Sequence, residues 1–148
     1  MTKPVINIAD VEPEPRPAAF APSGQAAERF DAKMGFIAPR IGAQKLGYNI
    51  TVVPPGKRGF PFHNHRVNEE MFFILQGSGE VRIGETTYPI RTGDVIACPP
   101  GGAEAAHQIV NTGRFGLLAD FPAGADGKPK RMMFVGREGE SLDYWEGE

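Results

Sequence analysis

Apolar residues in this chain come in short runs separated by glycine and proline. From about residue 35 the pattern becomes regular. Runs at 35–40, 46–53, 59–65, 71–76, 80–83, 86–90, 94–98, 107–111, 115–120 and 130–135 are bounded by turn-forming residues, which predicts a strand over each. Pro54-Pro55-Gly56, Gly77-Ser78-Gly79, Gly84-Glu85, Arg91-Thr92-Gly93 and Pro99-Pro100-Gly101-Gly102 supply the corners, since proline presets φ and glycine tolerates φ > 0. Gly84-Glu85 suits a two-residue hairpin. Period two places Phe72, Ile74 and Gln76 on the face of Glu70. Before residue 35 the signals are weaker: a β-like piece at 5–8, a proline-spaced stretch at 12–17 that must be extended, and a short helix at 25–33 after Ser23. Many short strands without an internal repeat predict an all-β antiparallel sandwich or barrel.

Composition sharpens this picture. Glycine and proline, 19 and 14 of 148 residues, approach the range of low-complexity sequence, yet 41% hydrophobic and 9% aromatic residues can bury a core. The breakers are therefore read as turns, with an N-terminal arm over 1–24 and a single barrel domain over 25–148. Sixteen Lys+Arg against eighteen Asp+Glu leave a net charge of −2, which gives no footprint for nucleic acid or an anionic membrane. No apolar run approaches the length of a membrane span and no secretory h-region follows Met1, so a cytoplasmic protein is expected. The single cysteine, Cys98, excludes an intramolecular disulfide and thiolate zinc sites. It is read as a small buried hydrophobe.

The chemistry concentrates in the histidines. There are three, His63, His65 and His107, and chance would leave only about 0.06 His-x-His pairs in such a chain. Strand positions i and i+2 share a face, so His63 and His65 point together. Glu70 follows across a short bend and opens an apolar strand, and His107 comes from a strand much later in sequence. Three neutral imidazoles and one carboxylate make a set suited to one divalent transition metal (Fe, Mn, Ni, Zn or Cu), with open positions for a further ligand.

Two longer segments carry a family resemblance. Gly56-Lys57-Arg58-Gly59-Phe60-Pro61-Phe62-His63-Asn64-His65-Arg66-Val67-Asn68-Glu69-Glu70, continuing to Gly77, resembles the first motif of the cupin superfamily. Gly93-Asp94-Val95-Ile96-Ala97-Cys98-Pro99-Pro100-Gly101, continuing to His107 and Asn111, resembles the second. The resemblance implies a small jelly-roll barrel, the double-stranded β-helix, whose metal ligands correspond to His63, His65, Glu70 and His107. The motif's spacing from glutamate to Gly77 selects Glu70, so Glu69 is expected to face solvent. Two departures stand out. Gly56 falls one residue early, and five residues separate Gly101 from His107 where the usual pattern has two. The longer loop carries Glu104, expected as an exposed loop acid near the barrel mouth.

The functional expectation is a metalloenzyme acting on a small polar or anionic metabolite. The family includes isomerases and epimerases, decarboxylases and dioxygenases, and the segment from Pro99 to Asn111 is most similar to small bacterial sugar-phosphate isomerase-like cupins. The alternative is a non-catalytic, metal-dependent small-molecule binding or sensor protein. No catalytic residue beyond the ligand set can be named. Lys45, Lys57, Arg58 and Arg66 offer loop cations, Gln108 is expected to point away from the metal, and Phe60 and Phe62 flank the histidine pair. A homodimer is expected, with strand 5–8 of the arm adding to a neighbour's sheet edge.

Overall fold

The structure is a computed structural model that describes residues 2–113 and 116–120. Its strands are β1 (Glu14–Pro15), β2 (Lys33–Phe36), β3 (Asn49–Val52), β4 (Glu70–Ile83), β5 (Thr86–Arg91), β6 (Val95–Cys98), β7 (His107–Val110) and β8 (Gly116–Asp120), with one short helix, α1 (Gly24–Arg29). Every strand-to-strand ladder is antiparallel. The organising element is β4, which belongs to two layers. Its first half pairs with β8 on one side and β6 on the other, in the order β1-β2-β3-β8-β4. Its second half pairs with β5 and β7. The result is the jelly-roll barrel that the family resemblance implies, where turn spacing predicted only an antiparallel sandwich or barrel.

Passage between the layers requires a break in the pleat. The ladder with β8 shifts register between Ile74 and Gln76, and an extra residue in one strand moves every later side chain to the opposite face. Before the shift the buried positions are Glu70, Phe72 and Ile74, and after it Gly79 and Val81. Gln76, which strict period two would turn inward with Glu70, is therefore exposed. Gly77 carries φ +104° at this point, a conformation few side chains accept.

Several sequence expectations change for identifiable reasons. The stretches 71–76 and 80–83 form one strand because Gly77-Ser78-Gly79 stays paired, Ser78 and Gly79 lying opposite Arg91 and Ile90. Gly79 serves close approach and not a turn: a side chain there would run into the Val110 carbonyl. Residues 59–65 make only one isolated bridge, at His63, since Pro61 has no N–H to donate. Residues 5–8 do not form a strand. Asn7 caps a 3-10 turn over Ile8–Asp10, its Oδ1 accepting from Ala9 N at 2.9 Å. The arm's strand is β1, laid along β2 of the same chain, and Val11 is buried beside Gly35. The predicted helix is shorter, 24–29. The Gly84-Glu85 hairpin forms as expected, with Ile83 opposite Thr86 and Gly84 at φ +55°. The stretch 130–135 lies outside the described residues.

The barrel interior is filled by Val53, Phe60, Phe72, Ile74, Val81, Ile90, Ile96, Cys98 and Ile109. Cys98 takes the place expected of a small hydrophobe. Phe60 and Phe72 stack with centroids 5.3 Å apart, and Phe72 is fully buried. Among the described residues no helix is long and apolar enough to cross a membrane. Replacing Phe72 by alanine removes the largest fully buried ring inside the barrel and leaves a cavity. A loss of about 3–5 kcal/mol in unfolding free energy is expected, measured by urea denaturation.

Candidate metal centre

The ladders converge four side chains from three separated segments. Glu70 is the first residue of β4 and His107 the first of β7. His63 bridges His107 backbone to backbone, His63 N donating to His107 O at 3.2 Å and His107 N to His63 O at 2.8 Å. His65 lies two residues beyond His63, on the same face. Glu70 Oε2 lies 2.9 Å from His107 Nε2, 3.2 Å from His65 Nε2 and 3.9 Å from His63 Nε2. The two histidines of the pair approach at 3.2 Å through their Nε2 atoms.

Hydrogen bonding on the outer side of the rings sets what they can do. His63 Nδ1 faces the Pro61 carbonyl at 2.8 Å, and His107 Nδ1 faces the Ala105 carbonyl at 3.1 Å. A carbonyl only accepts, so each Nδ1 carries the proton and each Nε2 of a neutral ring presents a bare lone pair. A neutral ring has no second proton to offer Glu70. Lone pairs and a carboxylate oxygen aimed at one point repel unless a cation lies among them. Two donors each about 2.1 Å from one ion sit about 3.0 Å apart at a right angle and about 3.4 Å apart at the tetrahedral angle. The donor atoms all lie within 4.8 Å of one another, so the cluster can hold a metal ion.

Burial supports the neutral form. The His63 pKa is lowered to about 4, first by desolvation and then by its neighbour His107, while Glu70 acts against the shift. His107 is 1% exposed and Glu70 6%, whereas the His65 side chain keeps 19% of its surface. The open side of the cluster is thus at His65. Its apolar backing is aromatic: Phe60 meets His63 edge-on at 5.1 Å and His107 at 5.9 Å, and Phe72 meets His107 at 5.9 Å.

Residues singled out in the sequence divide clearly. Glu69 is exposed, as alternation required. Glu104 is exposed on the loop before β7, and its carboxyl is held below the usual range by accepting from backbone N–H groups, that of Gly102 first. Gln108 points away from the cluster and donates to the Phe60 carbonyl at 3.0 Å. Lys57 is tied to the Glu28 carbonyl at the end of α1, and Arg58 N donates to Arg29 O. Lys45 and Arg66 are exposed. The ring of Phe62 is covered by Arg82, whose guanidinium carbon lies 3.9 Å from its centroid. Sequence reasoning missed Asn64, which donates from Nδ2 to the Gly101 carbonyl at 2.7 Å. Nothing in a linear pattern distinguishes it from a solvated loop residue.

The model of the cupin domain matches residues 49–118, the interval that holds both motifs and all four clustered residues. Residues 49–118 carry a cupin domain. This cupin is 32% identical over 66 residues to an uncharacterized protein of Methanocaldococcus jannaschii, covering 45% of this chain and 50% of that one. The chain spans about half the length of the curated relatives it matches. A sugar phosphate isomerase of the cupin superfamily from Silicibacter pomeroyi superposes with a TM-score of 0.68 at 18% identity, over 81% of this chain and 75% of that one. A predicted oxalate decarboxylase from Thermotoga maritima gives 0.63 at 21% identity, over 81% and 98%. At these identities the likeness is one of fold.

The depressed His63 pKa has a measurable consequence. Between pH 6.5 and about 4 the unfolded chain binds a proton at His63 that the folded chain refuses, so unfolding is favoured as pH falls through that window. Denaturation midpoints of the metal-free protein should fall from pH 6.5 toward pH 5, and His63→Gln should flatten that slope.

Proposed function

We propose that this cupin is a divalent-metal-dependent enzyme acting on a small, oxygen-bearing polar or anionic metabolite, with His63, His65, Glu70 and His107 as the metal ligands. The convergence of Nε2 atoms on Glu70 Oε2, with two rings pinned through Nδ1 to backbone carbonyls, carries the reading. The bound ion would act as a Lewis acid and offer open positions to a substrate oxygen. Three neutral imidazoles and one carboxylate leave a divalent ion with net positive charge, which favours an anionic ligand. His65 borders the open side where a ligand would enter. Phe60 and Phe72 limit water behind the rings and strengthen electrostatic interactions there.

The names of the structural relatives point to isomerase or decarboxylase chemistry, and the family resemblance adds dioxygenases. A second reading, a metal-dependent binding or sensor protein, is favoured by one observation. Among the described residues the buried ionisable groups besides the Cys98 thiol are Glu70 and His107, so among those residues no buried general acid or base stands apart from the proposed ligands.

Metal analysis of the purified protein, with oxygen-uptake and turnover assays on small hydroxy and keto acids and sugar phosphates, separates these readings. Stoichiometric iron with substrate-dependent oxygen consumption would select a dioxygenase. Manganese, nickel or zinc with oxygen-independent turnover would select isomerase or decarboxylase chemistry, and binding without turnover the sensor. His63→Ala and Glu70→Ala should each lower metal affinity by well over 100-fold while the folded circular dichroism signal persists. Full metal occupancy in both variants would overturn the ligand assignment. The proposed assembly is a homodimer: among the described residues β6 pairs with β4 alone and Val95 is exposed. Sedimentation of the full chain at twice the monomer mass is the expected result.

A further inference from the structure

The loop from Gly101 to Ala106, longer than the usual cupin motif, is pinned at both ends to the segments that carry the cluster. Gly101 N donates to the His65 carbonyl at 2.9 Å, and the Gly101 carbonyl accepts from Asn64 Nδ2 at 2.7 Å. At the other end Gly84 N donates to the Ala106 carbonyl at 2.7 Å. Between these anchors a 3-10 turn over Ala103–Ala105 is closed by Ala105 N donating to Gly102 O, and Glu104 Oε1 accepts from Gly102 N at 2.8 Å. This turn presents the Ala105 carbonyl to His107 Nδ1. The fit is close on two sides. A side chain at Gly84 would meet the Glu104 backbone carbonyl at 2.8 Å, and one at Gly101 would meet Ala105 Cβ at 2.6 Å.

We propose that this loop is a brace for the candidate metal centre, with Asn64 and Glu104 as positioning residues that hold the Ala105 carbonyl against His107 Nδ1. The inference rests on the metal reading above but reaches residues outside the ligand set. Asn64 lies between the two paired histidines, so its side chain couples their backbone to the loop that orients the third. Glu104 acts from an exposed position, by fixing the backbone of the turn and not by touching a ligand. Without the carboxylate the Gly102 N–H loses its partner, the turn loosens, and His107 is free to rotate or to exchange its ring proton between nitrogens. Groups that orient a ligand in this way change metal affinity without contacting the ion.

The test compares wild type, Glu104→Ala, Glu104→Gln and Asn64→Ala. Nitrogen-15 NMR of the histidine rings of the metal-free protein reads the His107 tautomer, and competition titration with Zn(II) reads affinity. Wild type and Glu104→Gln, which keeps an acceptor for Gly102 N, should show the Nδ1–H tautomer and equal affinity. Glu104→Ala and Asn64→Ala should lose the fixed tautomer and bind Zn(II) about 10-fold or more weakly, at an unchanged folded circular dichroism spectrum. Alanine variants that keep both the tautomer and the affinity of wild type would overturn the brace, as would equal losses in Glu104→Gln and Glu104→Ala. If wild type binds no Zn(II), the metal reading fails and the tautomer comparison alone decides the brace.

Discussion

A carboxylate carried into an apolar barrel must be neutralised, because desolvation disfavours its charge far more strongly than a surface position would. Glu70 stands under this constraint, nearly buried and facing Nε2 atoms at 2.9 and 3.2 Å. The usual partner would be a cation of the protein itself. Here its neighbours include three imidazoles, two of which have their N–H committed to backbone carbonyls. That arrangement supports the proposed metal.

The fold serves the constraint by bringing together segments far apart in sequence. β4 begins at Glu70 in one layer and ends in the other beside His107, its Ile83 lying opposite His107 in the ladder. Its register shift after Ile74 is what lets a single strand do both without turning its apolar face to solvent. The same strand places Cys98 directly opposite Glu70. Packing and site geometry are one construction here, since Phe60 and Phe72 are core residues and also the backing of the imidazole rings.

The loop before β7 shows how a departure from a family pattern acquires meaning. Its additional residues lengthen the route from Gly101 to His107 and supply the carbonyl that selects the His107 tautomer. Glu104, exposed as its type and position implied, acquires significance through the backbone it caps. Asn64, flanked by two histidines, does the same through a single hydrogen bond. Neither role follows from residue type, because each depends on where a distant carbonyl or N–H has been brought.

Spacing along the chain was enough for the strand-rich class, the Gly84-Glu85 hairpin, and the grouping of His63, His65, Glu70 and His107 as a cluster, since strand alternation and the scarcity of histidine act over short distances. The family motif's spacing gave the solvent-facing Glu69, and the apolar run around Cys98 gave its burial. Local logic erred where longer-range forces intervene. Residues 77–79 were read as a turn but stay in the strand because β8 pairs at Gly77 and β5 at Ser78 and Gly79. Gln76 was placed inside but lies outside because a register shift intervenes. Residues 5–8 were read as a strand, yet the edge of β2 is taken by β1. The spacing of the four donor atoms, the tautomers of two rings and the closure of the Gly101–Ala106 loop were decided by tertiary structure alone. Each depends on hydrogen bonds between groups whose separation in sequence carries no information about their separation in space.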